Sequence, residues 1–218
     1  MNLSHPIPVL LICLGAIFIL RQVASFFRFR FLRLISTPLV TWLICGIALV
    51  GVIRGGGAGW LILAGLGLSV IADSVLMIQG VDLFTHGLIF FLGTHIFYNI
   101  AFASGYSFVW WDLVTVGVLL ASMIFLVIMF YRGGRLGKMV VPVVVYILAL
   151  SLIVFFTVNS VIRGMSTPAL FAMCGAILFY ISDAILGWAQ FVKYFKLSNF
   201  FVWTFYAPGQ LLIALSLL

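Results

Sequence analysis

Two aspartates, Asp73 and Asp183, lie inside long apolar runs of this sequence. At the centre of a bilayer an ionised side chain costs roughly 2.5 to 3.5 kcal/mol on insertion scales, so such residues face a bundle interior and find partners there. The two carboxyl groups either form a structural polar contact between helices or carry out chemistry. The sequence offers no basic residue close to either, which favours chemistry. If the two converge, a proton shared between them would place an acid beside a base.

Other polar residues recur at helical spacing in the apolar runs. Ser69 precedes Asp73 by four residues, and Gly65 precedes Ser69 by four, so the three share one face of a helix. Two further runs carry polar side chains three or four residues apart: His95, Tyr98 and Asn99 in one, Tyr206 and Gln210 in the other. Each of these alone is more often a packing residue than a catalyst. Together, on different helices, they predict one polar cavity.

A metal centre or other cofactor is not expected. Catalytic zinc takes about three protein ligands, usually His with a carboxylate. Of the three histidines, His5 precedes the first apolar run, while His86 and His95 are nine residues apart and nearly opposite on a helix. The cysteines all fall in apolar runs and give no disulfide framework or metal spacing: Cys13, Cys45 and Cys174. Any catalysis is therefore predicted to be metal-independent.

The elements that position these residues are predicted to be membrane-spanning helices. Of the 218 residues, 66% are apolar and 7% are charged, whereas soluble domains carry about 25% charged residues. Runs of roughly 20 apolar residues span hydrocarbon as helices and predict an all-α polytopic bundle, a single transmembrane domain over residues 1–218. Eight spans are expected, at about 6–25, 37–53, 58–78, 83–104, 109–131, 138–162, 167–191 and 199–218. The first is expected to be retained and not cleaved as a signal peptide, because no basic segment precedes it.

The net charge of +7 indicates topology and not a nucleic-acid partner, because the basic residues cluster in the connections between spans. Nine fall on one side: Arg21, Arg28, Arg30, Arg33, Arg132, Arg135, Lys138, Lys193 and Lys196. Only Arg54 and Arg163 fall on the other. The positive-inside rule predicts that the nine are cytoplasmic and both termini non-cytoplasmic, in a bacterial inner membrane. The remaining acidic residues, Asp82 and Asp112, are expected in contact with water.

An internal repeat is suggested by matching spacings in the two halves of the chain. Gly65, Asp73 and Leu76 in the third span correspond to residues 175, 183 and 186 in the seventh, which are again Gly, Asp and Leu. Pro38 and Pro142 likewise stand near the starts of the second and sixth spans. Four spans per half predict a parallel repeat, in which corresponding helices run in the same direction.

Three stretches of the chain resemble the YhhN-type lysoplasmalogenase family. They are GLGLSVIADSVLMIQGVDLFTHGLIFFLGTHIFYNIAF (65–102), GAILFYISDAILGWAQF (175–191) and FYAPGQLLIAL (205–215). The order of these motifs and the eight-span length agree with the family as well, so the resemblance covers most of the chain. It implies an intramembrane hydrolase that cleaves the vinyl ether bond of lysoplasmalogens to a fatty aldehyde and glycerophosphoethanolamine or glycerophosphocholine.

Carried over by motif, the resemblance implies a polar core made of Asp73, His95, Tyr98, Ser182, Asp183, Tyr206 and Gln210. We expect the two aspartates to be catalytic, with the substrate bound by His95, Tyr98, Asn99, Ser69, Ser182, Tyr206 and Gln210. Two departures from the family pattern stand out. The family commonly has Lys-Pro near the start of span two, where this chain has Thr37 before Pro38. Ala72 precedes Asp73 where family members often have Gly.

Two other classes of function fit the same residues. A proton-coupled membrane transporter would use the buried aspartates as a relay, although the chain is short and lacks matching broken helices. A catalytically silent lipid-binding relative is the second, because the family lysine is absent at Thr37. In all three cases the expected partners are lysophospholipids and membrane lipids.

Overall fold

A computed structural model describes residues 6–78 and 83–218, and within these ranges the chain forms eight α-helices joined by short connections. The helices are α1 (Pro6–Phe26), α2 (Arg30–Gly55), α3 (Gly59–Met77), α4 (Phe84–Ala103), α5 (Asp112–Arg132), α6 (Val140–Arg163), α7 (Thr167–Gly187) and α8 (Ser198–Leu215). A π-helical turn, Trp188–Val192, extends α7. No strand occurs in the described ranges, so the all-α prediction is confirmed. His5 and Asp82 lie outside the described residues.

Seven of the helices are long and apolar enough to cross a membrane, as expected for a multi-pass membrane protein. The predicted eighth span, α8, does not meet this criterion because its polar side chains lower its mean hydropathy. It nevertheless packs within the bundle, against α1, α2, α3 and α7. Three of its polar residues, Ser198, Tyr206 and Gln210, are buried there.

The start of the second span was predicted incorrectly. The predicted span began at residue 37, next to Pro38, whereas α2 begins at Arg30. Proline lacks an amide donor and often interrupts a helix, yet α2 continues through it, and Ser36 Oγ donates to the Leu32 carbonyl (2.7 Å) just before it. Arg30 and Arg33 therefore belong to a helix and not to the connection between spans.

The helices pack in the same pattern in both halves of the chain. Consecutive helices contact each other from α1 to α4 and again from α5 to α8, with the most extensive contacts at α3–α4 and α7–α8. The halves are joined by two corresponding contacts, α2 with α8 and α6 with α4. This arrangement is the one that a parallel four-helix repeat predicts, in which the second helix of each half meets the fourth helix of the other half.

Two glycines at corresponding positions allow close approaches between helices. A Cβ atom at Gly65 of α3 would lie 2.7 Å from Cε1 of Tyr98 on α4. A Cβ atom at Gly175 of α7 would lie 2.7 Å from the carbonyl oxygen of Gly209 on α8 and 3.0 Å from the amide nitrogen of Ile213. Small residues at such crossings let helix backbones approach closely inside a membrane. The two most extensive contacts in the bundle therefore depend on glycine.

At the end of the bundle opposite the basic cluster, Asp112 is buried and paired, so the expectation of a solvated role was wrong. Only 2% of Asp112 is exposed. Its Oδ2 accepts hydrogen bonds from Arg163 Nη2 (2.6 Å), the Val109 amide (3.0 Å) and the Tyr106 hydroxyl. The Arg163 guanidinium also lies over the Tyr106 ring. This cluster fixes the connection between α4 and α5 to the end of α6.

Replacing Gly175 with alanine should destabilise the protein by about 1–3 kcal/mol, as expected for overpacking of a close helix contact. The new Cβ would collide with α8 backbone atoms, which cannot move aside as a flexible side chain can. The measurement is thermal unfolding of the purified protein in detergent. Gly117→Ala in α5 is the matched control, because nothing lies within 4 Å of a Cβ atom there. An unchanged unfolding temperature for Gly175→Ala would contradict the close α7–α8 packing.

Replacing Asp112 with asparagine should also lower stability, by about 1–3 kcal/mol, because three donors lose a charged acceptor. The same unfolding measurement applies. Arg54→Gln is the control, since Arg54 is exposed at the same end of the bundle. If both variants unfold at the temperature of the parent, the cluster around Asp112 does not hold the connection in place.

Candidate active site

A cavity of about 330 Å³ lies at the end of the bundle where α2 and α8 begin and α3 and α7 end. Asp73, near the end of α3, and Asp183, near the end of α7, both form part of its wall. The two carboxyl groups are close enough to interact electrostatically. The structure thus brings the two aspartates together at one cavity, and their catalytic role stays a prediction.

The Asp73 carboxyl group is held by the second and the eighth helix. Its Oδ2 accepts hydrogen bonds from Thr41 Oγ1 on α2 (2.6 Å) and from the Tyr206 hydroxyl on α8 (2.9 Å). Only 3% of the residue is exposed. Two donors on one oxygen satisfy a carboxyl group that would be costly to bury alone. They also fix the orientation of its second oxygen relative to the cavity.

The Asp183 carboxyl group is held in the same way by the sixth and the fourth helix. Its Oδ2 accepts a hydrogen bond from the Tyr146 hydroxyl on α6 (2.6 Å), and His95 Nε2 on α4 lies 3.6 Å away. The His95 ring is fully buried and packs edge-on against the rings of Tyr146 and Phe179. Among the described residues neither ring nitrogen of His95 has a hydrogen-bond partner. His95 is therefore confined beside Asp183 by aromatic packing.

The surroundings of the two aspartates correspond under the internal repeat. Each aspartate lies on the third helix of its half and bonds a hydroxyl from the second helix of the same half: Thr41 for Asp73 and Tyr146 for Asp183. Each also meets a side chain from the fourth helix of the other half, Tyr206 or His95. The cavity thus lies where the two halves of the chain meet, and neither half alone supplies both contacts to its own aspartate.

Behind the cavity, a buried hydrogen-bond network holds Tyr206 in place. The Tyr98 hydroxyl donates to Gln210 Oε1 (2.7 Å), and Gln210 Nε2 donates to Ser69 Oγ (3.0 Å) and, at 3.4 Å, to the Tyr206 hydroxyl. Ser69 Oγ in turn lies 3.1 Å from Thr94 Oγ1. Ser69, Tyr98 and Gln210 are all fully buried and are not part of the cavity wall. From this position they can hold the cavity residues in place, but they do not face a ligand in the cavity.

Of the two remaining predicted site residues, Ser182 and Asn99, one lies at the cavity and the other at a contact between helices. Ser182 lines the cavity, and its buried hydroxyl has no partner among the described residues. Asn99 does not line the cavity, and its assignment as a substrate-binding residue stays a prediction. Its side-chain amide donates to the Ala149 carbonyl on α6 (2.7 Å), because the α4–α6 contact covers that side of α4.

Arg21 is a component of the site that sequence reasoning misplaced. It was counted among the rim residues that follow the first span, but it lies inside α1 and is fully buried. Its guanidinium donates to Asn199 Oδ1 (2.5 Å) and Gln22 Oε1 (2.8 Å) and lies 4.1 Å from the ring centroid of Trp203. Asn199 and Trp203 line the cavity, so Arg21 supports the cavity wall through these two residues. Among the described residues no ion pair joins Arg21 to Asp73.

Thr41 and Tyr146, the partners of the two aspartates, were also missed. A signal for Thr41 existed, because Arg33, Thr37 and Thr41 recur every four residues and so share one face of α2. Tyr146 has no comparable signal, since its neighbours on α6 are almost all apolar.

The arrangement offers acid–base chemistry from two carboxyl groups and hydroxyl donors. Within residues 6–78 and 83–218, no three His, Cys, Asp or Glu side chains come close enough together to hold a metal ion. The π-helical turn after α7 contributes Ala189 and Gln190 to the cavity wall, and such turns are frequent at functional sites.

Comparison with known proteins identifies a family for this chain. No curated protein and no solved structure matches the chain. The sequence profile of the YhhN family matches residues 32–217, which include most of α2, all of α3 to α8, both aspartates and the side chains described above as their direct contacts. Because the match extends over most of the chain, the protein belongs to the YhhN family.

Proposed function

We propose that this protein is an intramembrane hydrolase that cleaves the vinyl ether bond of lysoplasmalogens. Membership of the YhhN family suggests this activity. The observation that carries the proposal is the presence of two aspartates, the buried Asp73 and the partly buried Asp183, in the wall of one cavity between the two halves of the bundle. The products would be a fatty aldehyde and glycerophosphoethanolamine or glycerophosphocholine.

The reaction needs no more than the groups that the cavity presents. Protonation of the vinyl ether at its β-carbon gives an oxocarbenium ion. Water adds to the positively charged carbon and loses a proton, and the resulting hemiacetal collapses to aldehyde and alcohol. One carboxylic acid supplies the first proton, and one carboxylate stabilises the cation and accepts the proton from water, as in glycoside hydrolysis. Asp73 and Asp183 would divide these two roles.

The neighbouring hydroxyl and imidazole groups would orient the reactants. Thr41 and Tyr206 hold one carboxyl group, and Tyr146 holds the other beside His95. The unpartnered hydroxyl of Ser182 on the cavity wall is suited to bind a glycerol oxygen or the attacking water. Correct placement of acid, base and water accounts for a large share of the rate enhancement in reactions of this kind.

The surroundings of Asp183 also suit an amphiphilic substrate. Besides the polar cavity, Asp183 borders a narrow apolar cleft of about 30 Å³ between α4, α5, α6 and α7. Its walls include Leu88, Phe130, Val143 and Ile147. The cleft marks an apolar side of Asp183, towards which the first carbons of an alkenyl chain could point while the head group occupies the polar cavity.

Asp73→Asn and Asp183→Asn should each reduce aldehyde release from lysoplasmenylethanolamine by at least about 100-fold, the range expected for loss of a general acid or base. The measurement is aldehyde formation by the purified protein in detergent or reconstituted vesicles. Asp112→Asn is the matched control, because it removes a buried carboxylate at the opposite end of the bundle. It should keep its turnover below its own unfolding temperature.

Comparison of these variants distinguishes a loss of folding from a loss of catalysis. The two cavity variants should remain folded and lose turnover, whereas the control should lose stability and retain turnover. No aldehyde from a folded parent, across head groups and pH, would contradict the hydrolase. Such a result would favour a lipid-binding relative or a carrier.

We further propose that the basic end of the bundle faces the cytoplasm and that both termini face the other side. A periplasmic phosphatase reporter fused after Leu218 should be active in a bacterial host, and a fluorescent reporter at the same position should be dark. Fusions after Leu136, in the connection between α5 and α6, should behave in the opposite way. The reverse pattern at both positions would contradict the proposed orientation.

A further inference from the structure

One face of α2 leads from the rim of the cavity to Asp73. Arg33, Thr37 and Thr41 lie four residues apart on this face, and Thr41 is bonded to the aspartate. At 1.5 Å of rise per residue, Thr37 lies about 6 Å along the helix from each of the other two. Arg33 is half-buried, and both Arg33 and Thr37 belong to the cavity wall.

The Thr37 hydroxyl is a buried polar group without a partner. Thr37 is fully buried, and its Oγ1 has no hydrogen bond to any residue that the structure describes. A buried hydroxyl without a hydrogen bond costs free energy. Thr41, one turn further, is satisfied by Asp73. An acceptor supplied by a bound molecule would satisfy Thr37 in the same way.

Arg33 brings a positive charge to the cavity wall. Within the described ranges no carboxylate lies within 4 Å of Arg33, and the two ion pairs found involve other residues. An anion beside Arg33 would form charge-assisted hydrogen bonds with its guanidinium group.

A second opening continues from the same arginine. It has a volume of about 230 Å³ and is lined by Arg30, Arg33, Leu34, Met77 and Ile78. Arg33 and Met77 line both this opening and the main cavity, so the two spaces adjoin at Arg33. A group bound at Arg33 can therefore extend outwards without entering the space beside the aspartates.

We infer that Arg33 and Thr37 bind the phosphate of the lysophospholipid whose ether bond is presented to Asp73. This inference rests on the proposed function, since it names the recognised group of the same substrate. One helical turn separates Thr37 from Thr41, a distance comparable to the glycerol unit between the phosphate and the ether oxygen. Arg21 acts as a positioning residue, because it holds Asn199 and Trp203 in the cavity wall.

The chemistry of the outer opening sets the head-group preference. Its described lining contains two arginines and no acidic side chain. Among the described lining residues a choline or ethanolamine group gains no ionic partner, whereas the phosphate gains Arg33. The protein should therefore require the phosphate and discriminate little between an amine-bearing head group and a bare phosphate.

Binding of non-hydrolysable 1-alkyl lipids tests this inference independently of catalysis. The parent should bind 1-alkyl-glycerophosphate and 1-alkyl-glycerophosphoethanolamine with similar affinity, and both at least about 10-fold more tightly than 1-alkylglycerol, which lacks the phosphate. Inorganic phosphate alone, at the same concentrations, should not bind measurably. Equal affinity of the parent for all three lipids would overturn the inference, and tight binding of inorganic phosphate would show that the site takes free phosphate and not a lipid.

Arg33→Gln and Thr37→Val should weaken binding of the two phosphorylated lipids by about 10-fold and about 3-fold, and leave 1-alkylglycerol binding unchanged. Arg135→Gln is the control for net charge, since Arg135 lies at the same end but outside the cavity wall. If Arg135→Gln weakens binding as much as Arg33→Gln, general attraction to the basic end explains the preference and the inference fails.

Hydrolysis provides the second readout. On lysoplasmenylethanolamine, Arg33→Gln should raise KM and leave kcat near that of the parent, whereas the aspartate variants lose kcat. If the protein releases aldehyde but does not prefer phosphorylated lipids over 1-alkylglycerol, the phosphate site is wrong and the proposed hydrolase activity stands. If the protein prefers phosphorylated lipids but releases no aldehyde from any substrate, the proposed hydrolase activity is wrong and the phosphate site stands.

Discussion

A carboxyl group buried in hydrocarbon needs hydrogen-bond donors around it, and in this protein that requirement determines which helices must meet. Asp73 on α3 accepts hydrogen bonds from Thr41 on α2 and Tyr206 on α8. Asp183 accepts a hydrogen bond from Tyr146 on α6 and has the His95 ring of α4 beside it. The close contacts at glycine and the buried network around Gln210 hold these donors in register. The polar cavity therefore arises from the same contacts that close the bundle.

The fourth helix of each half places a side chain beside the aspartate of the other half. This arrangement explains how a duplicated unit forms a single asymmetric site. Under the repeat, the two aspartates occupy equivalent positions, but their partners differ in chemistry. Two hydroxyl groups satisfy Asp73. One hydroxyl group and an imidazole adjoin Asp183, which also borders the apolar cleft. Different environments for two like carboxyl groups are what a division into acid and carboxylate requires.

The sequence allowed correct predictions for features that depend on the residues of one helix alone. Hydropathy located the spans, and the rarity of carboxylates in apolar runs singled out Asp73 and Asp183. Helical spacing also placed Ser69 and Gln210 on inward faces, but it does not reveal which neighbour a face meets. Asn99 shares a face with His95 and Tyr98 yet bonds α6.

Residues near helix ends were the least predictable. Arg21 was counted as a topology signal because an arginine after an apolar run normally reaches water, whereas here α1 continues past it and α8 covers it. Arg163 was counted in the same way, and its pairing with Asp112 was not foreseen because the two are 51 residues apart in sequence. Thr37, first noticed as a departure from the family pattern, turned out to be a buried cavity residue in mid-helix.

During synthesis α8 emerges from the ribosome after α1 to α7, and it is also the helix among the eight whose hydropathy alone does not mark it as a span. Its polar residues are accommodated by surfaces that the preceding helices provide: Asp73 for Tyr206, Tyr98 and Ser69 for Gln210, and Arg21 for Asn199. Entry of α8 is thus coupled to prior assembly of the first half of the chain. A nascent chain that lacks α8 has an incomplete cavity, so any hydrolytic activity awaits the insertion of this helix.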